Sequence, residues 1–261
     1  MHRSKYVLLS LLVIFLWICH FFCPGTVNGQ NNLKSKTPKK ETYSAAAATS
    51  LDLNEKGVTA VNAKNFTKAE ELFRQALAVD SHNLTAVFNL AGMYLTNKKE
   101  EYAKQLLEDY VRRYPKDAGL YARLGDTYFT LKQMKDAAAA YEKALTLQPG
   151  YPGINQRLGT VYALLNRSAD AERFFVRAAQ ENPQDYQILA NLSSLQLGNG
   201  KIDESITTAK KALQLKPTSE VYITLGTAYE ISRDLKNAWI AFRRAQDLGD
   251  SRPELKAKIT E

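Results

Sequence analysis

A single interval of 34 residues recurs along most of this chain and constrains its fold more than any other feature. Small residues recur at this interval, with one final step of 33, at Gly57, Ala91, Gly125, Gly159, Ser193 and Gly226. A second column of small residues has the same spacing, at Ala69, Ala103, Ala137, Ala171, Ser205 and Ala238. A fixed period of this length is the signature of stacked structural repeats.

Each repeating unit contains two stretches of apolar residues at helical spacing. In the third unit these are Leu124, Tyr128 and Leu131, followed by Ala137, Tyr141, Ala144 and Leu145. The short polar segment 132–133 separates the two stretches, and Pro149 follows the second. Since proline cannot continue a helical hydrogen-bond ladder without a clash, each unit is predicted to be a helical hairpin that ends at its proline.

The small columns indicate where the two helices of a hairpin approach each other most closely. We expect Gly125 to face Ala137, with Tyr128 and Tyr141 filling the space beside that contact. One hairpin cannot bury its apolar face alone, so neighbouring hairpins are expected to stack into a solenoid.

The pattern Leu-Gly, Tyr, Ala, Tyr or Phe, Ala and Pro resembles the tetratricopeptide repeat. The unit at 118–151 carries it most completely, at Tyr121, Leu124, Gly125, Tyr128, Ala137, Tyr141, Ala144 and Pro149. The resemblance implies an all-α fold, a right-handed superhelical solenoid of about six helix-turn-helix repeats over 50–252. The predicted repeats are 50–83, 84–117, 118–151, 152–185, 186–218 and 219–252, followed by a short C-terminal helix stub at 253–261.

The first 29 residues have the organisation of a secretion signal. A short positive segment precedes an apolar run that begins at Val7, and Pro24-Gly25 and a compact 27–29 segment follow. This pattern predicts cleavage after Gly29 and export to a periplasmic or secreted location. An uncleaved anchor formed by residues 7–23 is the alternative, and it would be the chain's one route to a membrane. Residues 30–49 are predicted to be a flexible, basic and alanine-rich linker, whose final alanines, Ala45–Ala48, are expected to extend the first helix backwards.

Composition argues against several kinds of function. Both cysteines, Cys19 and Cys23, and two of the three histidines lie in the leader. A nucleophilic triad, a metal site and a bound cofactor are therefore not expected in the repeats, and the chain is predicted not to be an enzyme. Of the net charge of +8, only +3 falls on residues 50–261, so nucleic acid is not an expected partner.

The family resemblance also implies where a ligand would bind. In tetratricopeptide repeats the first helix of each hairpin lines the concave groove, which holds peptides. Carried over position by position, the predicted groove residues are Phe88, Asn89, Leu95, Arg123, Phe129, Gln156, Arg157 and Asn191. Asparagine amides can pair with a peptide backbone, and Arg123 with Arg157 could hold a carboxylate. A hydrated groove without peptide specificity is the alternative.

These features predict a non-catalytic scaffold or adaptor for a protein or peptide partner in an extracytoplasmic compartment. A membrane-anchored assembly factor of an envelope or secretion complex is the alternative. An accessory module of an enzyme is disfavoured, because no further segment of catalytic-domain size lies beside the repeats. The dicarboxylate clamp of chaperone-binding members is broken here, with Asn54, Val58 and Gly119 at clamp positions.

Overall fold

The computed structural model describes residues 44–253, 255 and 258, so the predicted signal and most of the predicted linker lie outside the described residues. The described residues form helices joined by short turns. Their bounds are α1 Ala45–Asn62, α2 Phe66–Val79, α3 Leu84–Thr96, α4 Glu100–Arg113, α5 Ala118–Thr130, α6 Met134–Leu147, α7 Ile154–Leu164, α8 Ser168–Glu181, α9 Tyr186–Gly198, α10 Ile202–Leu215, α11 Ser219–Ile231 and α12 Leu235–Asp247. The predicted all-α repeat fold is confirmed.

These helices pair into hairpins, α1 with α2, α3 with α4, and so on to α11 with α12. The described chain divides into two compact units of three hairpins each. The N-terminal unit ends at Tyr151 and the C-terminal unit begins at Pro152.

Local sequence accounts for where the helices begin and end. The alanine run starts α1, as predicted, and the Ser44 hydroxyl caps it by accepting a hydrogen bond from the Ala47 N–H at 3.1 Å. Four of the second helices, α4, α6, α8 and α10, end two residues before a proline, at Pro115, Pro149, Pro183 and Pro217. This placement agrees with the exclusion of proline from helix interiors.

The turn inside every hairpin has the same backbone geometry. In the third hairpin the Gln133 N–H bonds the Tyr128 carbonyl at 2.8 Å, and the Lys132 N–H bonds the Phe129 carbonyl at 2.9 Å. This pair of bonds is a Schellman motif, which requires a left-handed residue between the helices. The left-handed residues are Lys64, Lys98, Lys132, Asn166, Gly200 and Arg233. The shared motif explains why the two helices of each described hairpin reverse direction in the same way.

In four of the described hairpins a glycine of the first helix lies against an aromatic ring of the second helix. A Cβ atom placed on Gly125 would lie 2.5 Å from ring atoms of Tyr141. The same relation holds for Gly57 with Phe73, Gly159 with Phe175 and Gly226 with Phe242. Ala137 is fully buried. Gly125, which has no side chain, leaves room for the ring of Tyr141, four residues after Ala137.

Tyrosines of the first helices tie each hairpin to the preceding one in the N-terminal unit. The Tyr94 hydroxyl on α3 donates to Glu70 on α2 at 2.8 Å, and the Tyr128 hydroxyl on α5 donates to Glu108 on α4 at 2.9 Å. Burial and these carboxylates raise the pKa of Tyr94 and of Tyr128 to about 12. These side chains are therefore core residues with bonded hydroxyls, and not a ligand site.

A second polar contact between hairpins is fully buried. Asn83 caps α3 by accepting from the Ala86 N–H at 3.1 Å, and its amide N–H donates to the Ser50 hydroxyl at 2.8 Å. The Ser50 hydroxyl in turn donates to the Ala76 carbonyl at 2.8 Å. This chain of bonds links α1, the end of α2 and the start of α3.

Candidate functional site

In the N-terminal unit the first helices of the three hairpins lie side by side, since α3 contacts both α1 and α5. We call the face that they share the first-helix surface. It carries five of the predicted groove residues, Phe88, Asn89, Leu95, Arg123 and Phe129. The remaining three, Gln156, Arg157 and Asn191, belong to the C-terminal unit.

An asparagine pair spans two helices on this surface. The Asn89 amide N–H donates to the Asn54 carbonyl oxygen at 2.9 Å. Asn54 is buried and Asn89 is half-buried. Among the described residues Asn54 is the partner of Asn89, which leaves the Asn89 carbonyl oxygen and its second N–H for a ligand. One acceptor and one donor are what a peptide unit requires.

An open position lies one helical turn beyond Asn89. A Cβ atom placed on Gly92 would meet nothing within 4 Å, whereas one on Gly125 would collide with a ring. Gly92 is half-buried, and the neighbouring helix presents the exposed Val58 at the equivalent repeat position. The first-helix surface is therefore open at this position of α3, which we call the notch, and a side chain from another molecule could approach the helix backbone here.

The predicted apolar floor is only partly accessible. Phe88 and Leu95 are half-buried and pack against the core of the N-terminal unit, and Phe129 is buried. The tip of the Phe88 ring lies 3.0 Å from the position of a Cβ atom on Gly119, so this ring packs against the start of α5. Phe88, Leu95 and Phe129 therefore pack mainly against the protein core, and only part of Phe88 and Leu95 is accessible to a ligand.

Arg123 is half-exposed and has an acidic neighbour that the sequence analysis missed. Its Nη1 atom lies 3.8 Å from Oδ2 of Asp126, one turn along α5. Asp126 is itself buried and accepts a hydrogen bond from the Tyr141 hydroxyl at 2.9 Å. A carboxylate ligand would therefore share Arg123 with Asp126. The spacing of three residues is the signal that could have identified this pair.

In the C-terminal unit, Gln156 and Arg157 lie on α7 and Asn191 lies on α9, and all three side chains are half-buried. Beside them the buried Asn155 donates to Glu181 at 2.6 Å, which ties α7 to the end of α8. These positions carry the polar groups that were predicted, on the predicted first helices.

Neither a metal cluster nor a membrane-spanning helix is found in the described part of the chain. No three of its histidine, cysteine, aspartate and glutamate side chains are grouped to hold an ion. None of its helices is long and apolar enough to cross a bilayer.

Family models of the tetratricopeptide repeat match residues 60–126, 118–151 and 157–220, which together make up more than half of the chain. The chain belongs to the tetratricopeptide repeat family. A comparison with curated proteins found no significant match.

Solved structures of similar shape support the fold. The TPR protein YrrB is 18% identical, with a TM-score of 0.67, and the match covers 72% of this chain and 98% of YrrB. PilF of Pseudomonas aeruginosa is 15% identical with a TM-score of 0.68, covering 82% of this chain and 98% of that one. A tetratricopeptide repeat protein from Parabacteroides merdae is 18% identical with a TM-score of 0.54, covering 81% and 83%. At these identities the likeness concerns the fold alone.

Proposed function

We propose that this protein is a non-catalytic scaffold that binds a peptide or a protein segment on the first-helix surface of its N-terminal unit. The observation that carries the proposal is the open position at Gly92 beside the half-buried Asn89 amide, whose hydrogen-bond partner among the described residues is Asn54. An extended chain could place a side chain in the notch while its backbone pairs with the amide. Tetratricopeptide repeats serve as protein-binding scaffolds, and the structure of YrrB is described as having an unusual peptide-binding site.

The test is to block the notch. Gly92→Phe should fill the notch and reduce the affinity for the natural partner about tenfold or more. The phenylalanine ring would exclude the partner's side chain, and a central contact would be lost. Gly92→Ala is the matched control, since a methyl group has room and should leave capture almost unchanged. The readout is quantitative affinity capture with the two variants beside the original protein.

A second control addresses the opposite face of the hairpins. Lys143 is exposed on α6, and Lys143→Glu should have little effect on capture. Loss of the partner with Lys143→Glu, together with undiminished capture by Gly92→Phe, would place the binding site on the second helices instead and refute the proposal.

We further propose that the scaffold acts outside the cytoplasm, in a periplasmic or secreted location. The support is the leader, whose Pro24-Gly25 break and compact 27–29 segment resemble a cleavage region. Intact-mass measurement of the native protein is expected to show a chain that begins at Gln30. A membrane-bound chain that still carries residues 1–29 would instead favour an anchored assembly factor.

A further inference from the structure

Exposed apolar side chains are concentrated on the last hairpin of the C-terminal unit. Leu235 is 67% exposed and Trp239 is 46% exposed, and Ile231, Ile240 and Leu248 are also exposed. Elsewhere in the described chain, large exposed apolar residues occur singly, at Val58, Val79, Tyr102 and Leu215. Leu235 and Trp239 lie one helical turn apart and Ile240 follows Trp239, and such a concentration of exposed apolar side chains indicates a surface that another molecule covers.

The patch is not the stacking face on which a further hairpin would lie. Leu255 is only 4% exposed and packs against Phe242 and Ala245 of α12. Lys258 forms an ion pair with Glu230 and lies over the Phe242 ring at 5.0 Å from its centroid. The C-terminal residues thus cover the inner side of α12, and its outer side is left to solvent.

The outer side of α12 has an ordered pattern. At 100° per residue, the buried residues Ala238, Ala241, Phe242 and Ala245 define one face of the helix. The opposite face carries Lys236 near its start, Trp239 and Ile240 in the middle, then Arg243, and Asp247 at its end. Trp239 and Ile240 are thus exposed apolar residues in the middle of an otherwise charged helix face.

We propose that the outer face of α12 binds the same face of a second copy of this chain, with the two helices antiparallel. Reversal of the helix about a two-fold axis near 241–242 brings Lys236 opposite Asp247 of the second copy, and the reverse pair forms at the other end. It also brings Trp239 opposite Arg244 of the second copy, with Arg243 the next residue along, which allows a cation–π arrangement.

A parallel pairing would not have this complementarity, because it would place Lys236 against Lys236 and Arg243 against Arg243. Within one copy Arg243 reaches Asp247 only at 3.5 Å, with both side chains about half exposed. Such an exposed ion pair is weak, so both groups are able to exchange to an intermolecular partner. The charge order along the helix therefore selects the antiparallel second copy as occupant.

The test is the oligomeric state of the isolated protein, measured by analytical ultracentrifugation over a range of concentrations. A dimer is expected, and Asp247→Lys should raise its dissociation constant about tenfold or more, because two like-charge contacts replace two attractive ones. The double variant Lys236→Asp with Asp247→Lys exchanges the charges and should restore dimerisation. The three positions changed on this face, Lys236, Trp239 and Asp247, are all solvent-exposed, so circular dichroism should be the same for each variant.

Trp239 offers an independent measurement, since the chain has two tryptophans and the other, Trp17, lies in the leader. Its emission should shift to the blue as concentration rises, and Asp247→Lys should abolish the shift. The proposal would be overturned if the protein were a monomer at every concentration. It would also be overturned if Trp239→Ser and Asp247→Lys left the dissociation constant of the dimer unchanged. A double variant that folds without recovering the dimer would also overturn it. A monomer whose emission shifts only with anionic phospholipid vesicles would assign the face to a membrane instead.

Discussion

Replacing Gly125 with leucine is expected to destabilise the protein by about 1–3 kcal/mol. The first added atom would lie 2.5 Å from Cδ1 and Cε1 of Tyr141, well inside van der Waals contact. Tyr141 cannot turn away easily, because it is 1% exposed and its hydroxyl donates to the buried Asp126. Either the two helices separate or a buried hydrogen bond is lost. Chemical denaturation would measure the change in the free energy of unfolding.

Gly92 supplies the matched control for this prediction. It also lies inside a first helix, but nothing is within 4 Å of an added Cβ atom. Gly92→Ala should therefore stabilise the protein by roughly 0.5–1 kcal/mol through the higher helix propensity of alanine. Equal effects of Gly125→Leu and Gly92→Ala would show that the glycine–ring contact does not set the spacing of the hairpin.

Replacing Asn83 with alanine is expected to cost about 1–3 kcal/mol, since two functions of one side chain are lost. The carbonyl oxygen of Asn83 caps α3, and its N–H donates to the fully buried Ser50 hydroxyl. In the variant the Ser50 hydroxyl still donates to the Ala76 carbonyl, but its oxygen no longer accepts a hydrogen bond from Asn83. Thermal or urea denaturation with a two-state analysis would measure the loss.

Asn65 separates the two contributions. It caps α2 by accepting from the Lys68 N–H at 3.1 Å, but it is exposed, and the described residues offer it no buried partner comparable to Ser50. Asn65→Ala should therefore cost only the cap, about 1 kcal/mol. If Asn65→Ala proved as damaging as Asn83→Ala, the buried link between the first two hairpins would contribute nothing measurable.

The candidate site could be predicted in part. The repeat spacing placed Asn89, Arg123, Arg157 and Asn191 on first helices, where the structure has them. The repeat spacing did not predict the open position at Gly92, nor that the Asp126 carboxylate lies within ion-pair distance of Arg123. Both features depend on which atoms surround a position in space, and residue spacing along one helix does not report what lies next to it.

The sequence by itself determined the hairpins, their number in the repeated region and their ends. Helical periodicity, caps and prolines act within a few residues, so they can be recognised without knowledge of the rest of the chain. Tertiary structure decided which groups meet. The columns at Gly125 and Ala137 mark small residues, but the rotation of α6 about its axis places the Tyr141 ring over the glycine. The same rotation in the last hairpin turns Phe242 inward and leaves Trp239 exposed, because a helix can bury only one face against its neighbours.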